Sequence, residues 1–179
     1  MPQVTLIGYR GTGKSTVAAL IAARLGCEWI DADAVLESRL GTTIAALVQD
    51  RGEPAFRAAE AEILADLLGS FRGVLATGGG VVLRPDNRLR LRESGRPVIW
   101  LTAPADIIRS RLAADPTTRD RRPALTAADP LTEVEAAVAT RLPLYTECAD
   151  VAFDTGGEPP PAVADRIVVW LEAHGRDRR

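Results

Sequence analysis

The stretch Leu6-Ile-Gly-Tyr-Arg-Gly-Thr-Gly-Lys-Ser-Thr16 decides the fold. Gly8 to Ser15 fits the pattern G-x-x-x-x-G-K-[ST], and it lies where the pattern has physical meaning, after an apolar run of strand length and at the start of an alanine-rich helix. Glycines let successive backbone N–H groups converge on phosphate oxygens, and the N-terminus of the following helix adds partial positive charge. Gly11, Thr12, Gly13, Lys14, Ser15 and Thr16 are therefore the expected nucleotide-phosphate cradle. Of the 22 basic residues 21 are arginines, which leaves Lys14 as the one lysine; chance would put it at this position about one time in 22. A lysine ammonium is a compact charge on a slim stem and reaches inside a loop wrapped around phosphates, where the broad guanidinium fork does not fit. The Ser15 hydroxyl is the expected ligand of a nucleotide-bound Mg²⁺.

The bulk numbers set the frame. A chain of 179 residues is the size of one domain, 1–179, that needs no disulfide staple. Its 24 acidic and 22 basic residues leave a net charge of −2, with no global field to make nucleic acid a partner. Cys27 and Cys148 have no close-spaced partner, so a metal cluster or redox pair is not expected, and both read as small buried hydrophobes in a reducing compartment. No apolar run approaches membrane-spanning length and no charged leader precedes "VTLIG". The expectation is a cytoplasmic protein with no membrane partner, and a monomer.

Working outward from the loop, short apolar runs alternate with helical patterns. Val4–Ile7, Trp29–Ile30, Val74–Ala76, Val98–Leu101 and Val151–Phe153 have strand length. Helices are expected at Thr16–Leu25, ended by Gly26; at Ile44–Gln49; at Pro54–Leu68, stopped by Gly69; and near 87–93, 105–113, 133–142 and 162–173. Near-continuous apolar strands separated by crossover helices predict a parallel sheet covered on both faces, with ligands beyond the carboxyl ends of its strands. The segment "ADPTTRDRRPALTAADP", 114–130, breaks this rhythm with three prolines and three arginines, and predicts a mobile lid that carries charge to the site. His174, which opens the tail "HGRDRR" at the end of a helix, reads as a terminal cap or an exposed residue.

Other residues complete the chemistry. Asp31 and Asp33 follow the second strand; with the backbone still extended, residues two apart point the same way and both carboxylates face the site. Phosphoryl transfer needs one acid near Mg²⁺ and another that orients or deprotonates an accepting hydroxyl. Gly78, Gly79 and Gly80 remove side chains, so that a ligand can press against backbone N–H groups. Arg57 lies near a helix start and Arg141 just before Pro143, expected to disrupt its helix; if the two converge, they point to a carboxylate or phosphate on the substrate.

Together "GYRGTGKST", "DAD", "FRAAE", "TGGG", "RRPAL" and "RLPLY" resemble, in order and at similar separations over almost the whole chain, the shikimate kinases of the nucleoside-monophosphate-kinase-like branch of P-loop proteins. The resemblance implies a three-layer α/β/α P-loop NTPase fold, with a five-stranded parallel sheet in the order 2-3-1-4-5, a substrate-binding region at about 33–61 and a lid at about 114–130. It also implies ATP-dependent phosphorylation of the shikimate 3-hydroxyl, on the route to aromatic amino acids. By that resemblance Asp33 touches the substrate hydroxyls and serves as base or orienting group. Arg57 and Arg141 hold the carboxylate, with Gly79 donating from the backbone, and Asp31 joins Ser15 at Mg²⁺ through water. Lys14 holds the phosphates, and Arg122 swings in with the lid to neutralise the transferring group. Two departures stand out. Ala124 follows Pro123 where the family's lid reads Arg-Pro-Leu-Leu, with Arg119 and Arg121 close by; and "DTGGEPPP" replaces a loop in which the family often has a basic residue near the adenine. Other readings are a related small-molecule kinase acting on gluconate, and a non-catalytic ATP-binding module.

Overall fold

The computed structural model describes residues 3–115 and 130–174. Five parallel strands, β1 (Val4–Ile7), β2 (Trp29–Asp31), β3 (Val74–Ala76), β4 (Val98–Thr102) and β5 (Val151–Asp154), form one sheet in the order β2-β3-β1-β4-β5. This is the expected order. Register is fixed by pairs such as Leu6 with Ala76 and with Ile99, and Asp31 with Ala76.

Alternation along the strands sends successive side chains to opposite faces. Val4, Leu6, Val74, Ala76, Ile99 and Leu101 pack against α1 (Lys14–Leu25) and α7 (Pro160–His174), which bring Val17, Ile21, Val163 and Ile167. Ile7, Leu75 and Val98 face the other way, toward α2 (Ala32–Leu40), α3 (Ile44–Ser70), α4 (Pro85–Ser94) and α6 (Pro130–Cys148), with Leu36, Phe56, Leu64, Leu91 and Tyr145 among the buried partners. Helix α5 (Ala105–Ala114) joins a third cluster through Ile108, with Tyr9 and Val134. Helices thus cover both faces, and the three-layer reading holds.

Three local expectations are corrected. The backbone is not extended through Asp33: Asp31 ends β2 and caps α2, its carboxylate accepting from Asp33 N–H at 2.9 Å and Ala34 N–H at 3.4 Å, so Asp33 stands in the first turn of a helix. The segments expected at 44–49 and 54–68 form one helical stretch with a break at Gly52 (φ 80°, ψ 165°), and it runs past Gly69 to Ser70. Pro143 does not end its helix; α6 continues to Cys148, held beyond the proline by burial of Tyr145 and Cys148. Packing there outweighs the lost N–H. Cys148 is buried as expected, whereas Cys27 is only half-buried. Among the described residues no helix is long and apolar enough to cross a membrane.

Candidate active site

A cleft of about 570 Å³ opens beyond the carboxyl ends of the strands. On one side it is walled by the loop from Tyr9 to Ser15, continuing to Thr16 and Val17; on the other by Asp31, Asp33, Thr77, Gly79 and Arg141. Arg111, Thr155, Glu158 and Pro160 close a further end.

The loop is built for an anion. Gly11 (φ 81°) and Gly13 (φ 86°) adopt the left-handed backbone that L side chains rarely accept. The Thr12 hydroxyl turns inward, donating to the Tyr9 carbonyl at 2.8 Å, and the Thr12 carbonyl accepts from the Thr155 hydroxyl at 3.1 Å. No side chain caps α1, so the N–H groups of its first turn, which have no partner within a helix, face the cleft. Lys14 is buried, and its ammonium donates to the carbonyls of Gly8 at 2.9 Å and Tyr9 at 3.0 Å. The charge therefore sits inside the curl of the loop, where a phosphate wrapped by the same loop comes within its reach.

Ser15 and Asp31, on different elements, meet here: the Ser15 hydroxyl donates to Asp31 Oδ2 at 2.5 Å, while Oδ1 is engaged in capping α2. An aligned hydroxyl and carboxylate oxygen beside a phosphate loop fit Mg²⁺, a hard cation that takes oxygen ligands and commonly few from protein. Asp33 reaches the same cleft from the first turn of α2 rather than from an extended strand.

Each of the three glycines makes room for a different neighbour. A Cβ on Gly78 would lie 2.6 Å from Asp33 Oδ1 and 2.7 Å from Glu60 Oε1; one on Gly79 would lie 2.9 Å from the Arg10 nitrogen; one on Gly80 would lie 2.6 Å from Arg57 Cζ. The absent side chains thus admit the protein's own carboxylates, loop and guanidinium. Arg141 donates to the Gly79 carbonyl at 3.2 Å, so both arginines touch the glycine turn, but of the two only Arg141 lines the cleft on which both were expected to converge.

Their environments differ. Arg141 lines the cleft and lies 5.1 Å over the Tyr9 ring, whereas Arg57 is not among the lining residues. Arg57 is buried against Phe56 and paired with Glu60 at 2.8 Å and Glu53 at 2.9 Å. Burial pulls its pKa down, but the charges and hydrogen bonds of Glu60 and Glu53 outweigh that and hold it above the ordinary value. The second carboxylate oxygen of Glu60 is buried without a hydrogen-bond partner among the described residues.

Some residues of the site carry no signal in the sequence that singles them out. Arg10 lines the cleft from within the phosphate loop, in a variable position of the motif. Arg111 donates to the Thr155 hydroxyl at 3.0 Å, the Thr155 carbonyl at 2.5 Å and the Gly11 carbonyl at 3.4 Å, tying the end of β5 to the loop. Of the expected lid, Ala114 ends α5, Asp115 lines the cleft and Pro130 begins α6, while residues 116–129, with Arg119, Arg121 and Arg122, lie outside the described residues.

The family model for shikimate kinase matches residues 10–172. The chain belongs to the shikimate kinase family. It is 42% identical to the shikimate kinase of Oleidesulfovibrio alaskensis, over 98% of this chain and 100% of that protein. The structure of the shikimate kinase from Acinetobacter baumannii in complex with shikimate superposes with a TM-score of 0.87 at 31% identity, covering 95% of this chain and 92% of that one. A gluconokinase from Sinorhizobium meliloti 1021 shares the fold alone, at 18% identity and a TM-score of 0.52 over 96% of this chain and 97% of that one. Apart from Tyr9, the cleft of this shikimate kinase family member is lined by residues of the matched segment, Asp31, Asp33, Gly79 and Arg141 among them.

Proposed function

We propose that this protein is a shikimate kinase that uses Mg-ATP to phosphorylate the 3-hydroxyl of shikimate, giving shikimate 3-phosphate and ADP. The observation that carries the reading is the meeting, in one cleft, of a phosphate loop with Asp33, Gly79 and Arg141. A loop alone would serve any nucleotide switch. The second wall presents what an acceptor bearing both an alcohol and a carboxylate requires.

The loop N–H groups of Gly11 to Thr16 and the Lys14 ammonium hold the β and γ phosphates. Ser15 and Asp31 would hold Mg²⁺, which when bound neutralises charge on the phosphates. Arg141 fixes the acceptor's carboxylate, joined by the Gly79 N–H, and Arg57 supports the same end from behind Gly80. Arg10 adds positive charge from the loop side of the cleft. Asp33 orients the 3-hydroxyl and takes its proton as the oxygen attacks the γ phosphorus. The new O–P bond forms as the bond from the γ phosphorus to the β–γ bridging oxygen breaks, with the electron pair leaving on ADP. Arg122 is assigned to charge neutralisation on the transferring group by its place in "RRPAL", and the segment around it to a lid that excludes water.

The reading includes a single catalytic domain working as a monomer in the cytoplasm, with neither nucleic acid nor membrane as partner. A coupled assay of ADP release with shikimate, gluconate or no acceptor tests the reaction. Saturable release with shikimate and only background otherwise is expected. Turnover with gluconate but not shikimate overturns the acceptor, and ATP binding with trace hydrolysis favours a binding module. Asp33→Asn is expected to keep ATP affinity and lose transfer; parent-like turnover removes Asp33 from both roles.

A further inference from the structure

The carbonyls of the glycine turn are held in two different ways. Gly78 accepts from the Val81 N–H at 3.2 Å and Gly80 from the Leu83 N–H at 3.0 Å, both within the one-turn 3₁₀ helix at Val81–Leu83. The Gly79 carbonyl instead accepts from two side chains of α6, the Tyr145 hydroxyl at 2.6 Å and Arg141 Nη1 at 3.2 Å. Glycine has the widest backbone freedom of any residue, so an orientation here must be imposed from outside. Of the two donors, Arg141 is the one facing the cleft, and an acceptor carboxylate competes for its guanidinium. Tyr145 does not line the cleft, and its hydroxyl also has the Arg141 guanidinium as a polar neighbour. It is 1% exposed, its ring stacks on Trp100 with centroids 5.6 Å apart, and its hydroxyl gives the shorter bond.

We propose that Tyr145 is a positioning residue for the acceptor: its hydroxyl locks the Gly79 carbonyl, and so holds the glycine turn ready to receive a carboxylate while leaving Arg141 free to turn toward it. The proposal rests on the acceptor reading above. Burial also pushes the Tyr145 phenol well above its ordinary pKa, against the opposing pull of Arg141, so the hydroxyl remains a donor across the working range. A turn without this lock is ordered only when substrate binds, which weakens acceptor binding and leaves the nucleotide side untouched.

Tyr145→Phe keeps the stack and removes only the hydroxyl. Steady-state kinetics of the parent, Tyr145→Phe, Arg141→Ala and Thr146→Ala separate the cases; Thr146 donates to the Leu142 carbonyl on an exposed part of the same helix and serves as the control. For Tyr145→Phe the shikimate KM is expected to rise about tenfold with the ATP KM within about twofold, the scale of one buried hydrogen bond. Thr146→Ala is expected to change neither. A raised shikimate KM in Arg141→Ala but not in Tyr145→Phe overturns the lock alone. Parallel rises in both KM values for Tyr145→Phe mean general loosening and also overturn it. If neither variant moves the shikimate KM, the acceptor reading falls and the lock with it. Because the chain has 2 tyrosines, 3-fluorotyrosine labelling gives a readout that does not require the Tyr145 variant to fold, with signals assigned by Tyr9→Phe. The Tyr145 fluorine is expected to shift on adding shikimate, as Arg141 leaves the shared carbonyl; no shift at saturation overturns the proposal.

Discussion

Lys14→Arg keeps the charge but replaces a slim ammonium, held at 2.9 and 3.0 Å between two loop carbonyls, with a planar fork. A fall in kcat of about a hundredfold is expected from steady-state assays, and turnover within a few-fold of the parent would refute the steric argument. Gly80→Ala sets a methyl against Arg57, which two carboxylates hold in place. It is expected to lower stability by about 1–3 kcal/mol in a denaturant titration and to raise the shikimate KM. An unchanged midpoint would mean that Arg57 moves aside freely. At this scale the phosphate loop was plain in the sequence because its spacing is local and its chemistry is unusual. The pairing of Arg57 with Glu60 and the reach of Tyr145 to Gly79 were hidden, the first because i,i+3 pairs are common on any helix, the second because it spans 66 residues.

Among the elements, the long helix α3 turns on Gly52, whose backbone (φ 80°, ψ 165°) lies in a region that is essentially glycine's alone. Gly52→Ala meets nothing closer than 3.5 Å, so its effect is conformational: a loss of about 1–3 kcal/mol is expected. Gly69→Ala, inside the last turn of the same helix with open space around it, is expected instead to gain about 0.5–1 kcal/mol. Equal effects at the two sites would contradict this account of the bend. The strands, α1 and the second half of α3 were legible from apolar runs and glycine stops. Helix α2 was not, because "ADAVLESRL" buries only Ala32 and Leu36, and its cap, Asp31, directly follows a strand-like apolar pair. Asp31 serves as cap with one oxygen and faces Ser15 with the other. Nothing local to Pro143 signals that α6 runs on past it, because the burial that holds the helix together there is tertiary.

Across the whole molecule, the buried Cys148 thiol is pushed up to about 11 from an ordinary 9.0, first by burial and then by Glu147, with Arg88 and Arg92 pulling the other way. A group whose pKa is raised on folding contributes fully below pH 9 and loses that contribution as the pH climbs toward 11. Cys27 and Tyr145 are raised in the same sense. Unfolding free energy is therefore expected to decline between pH 9 and 10.5, by about 1–2 kcal/mol from Cys148, with a shallower decline in Cys148→Ala. Parallel curves would contradict that assignment. The layered architecture was legible from alternation of strand and helix and from the family resemblance, yet the convergence of α2, α6 and the glycine turn on one cleft is a property of the packed chain alone. That convergence is also the central claim, and a crystal structure with Mg-ADP and shikimate bound tests it most directly. The account predicts the shikimate carboxylate on Arg141 and the Gly79 N–H, with its 3-hydroxyl on Asp33 and facing the phosphate loop; shikimate bound elsewhere, or with its carboxylate turned toward Lys14, would contradict it.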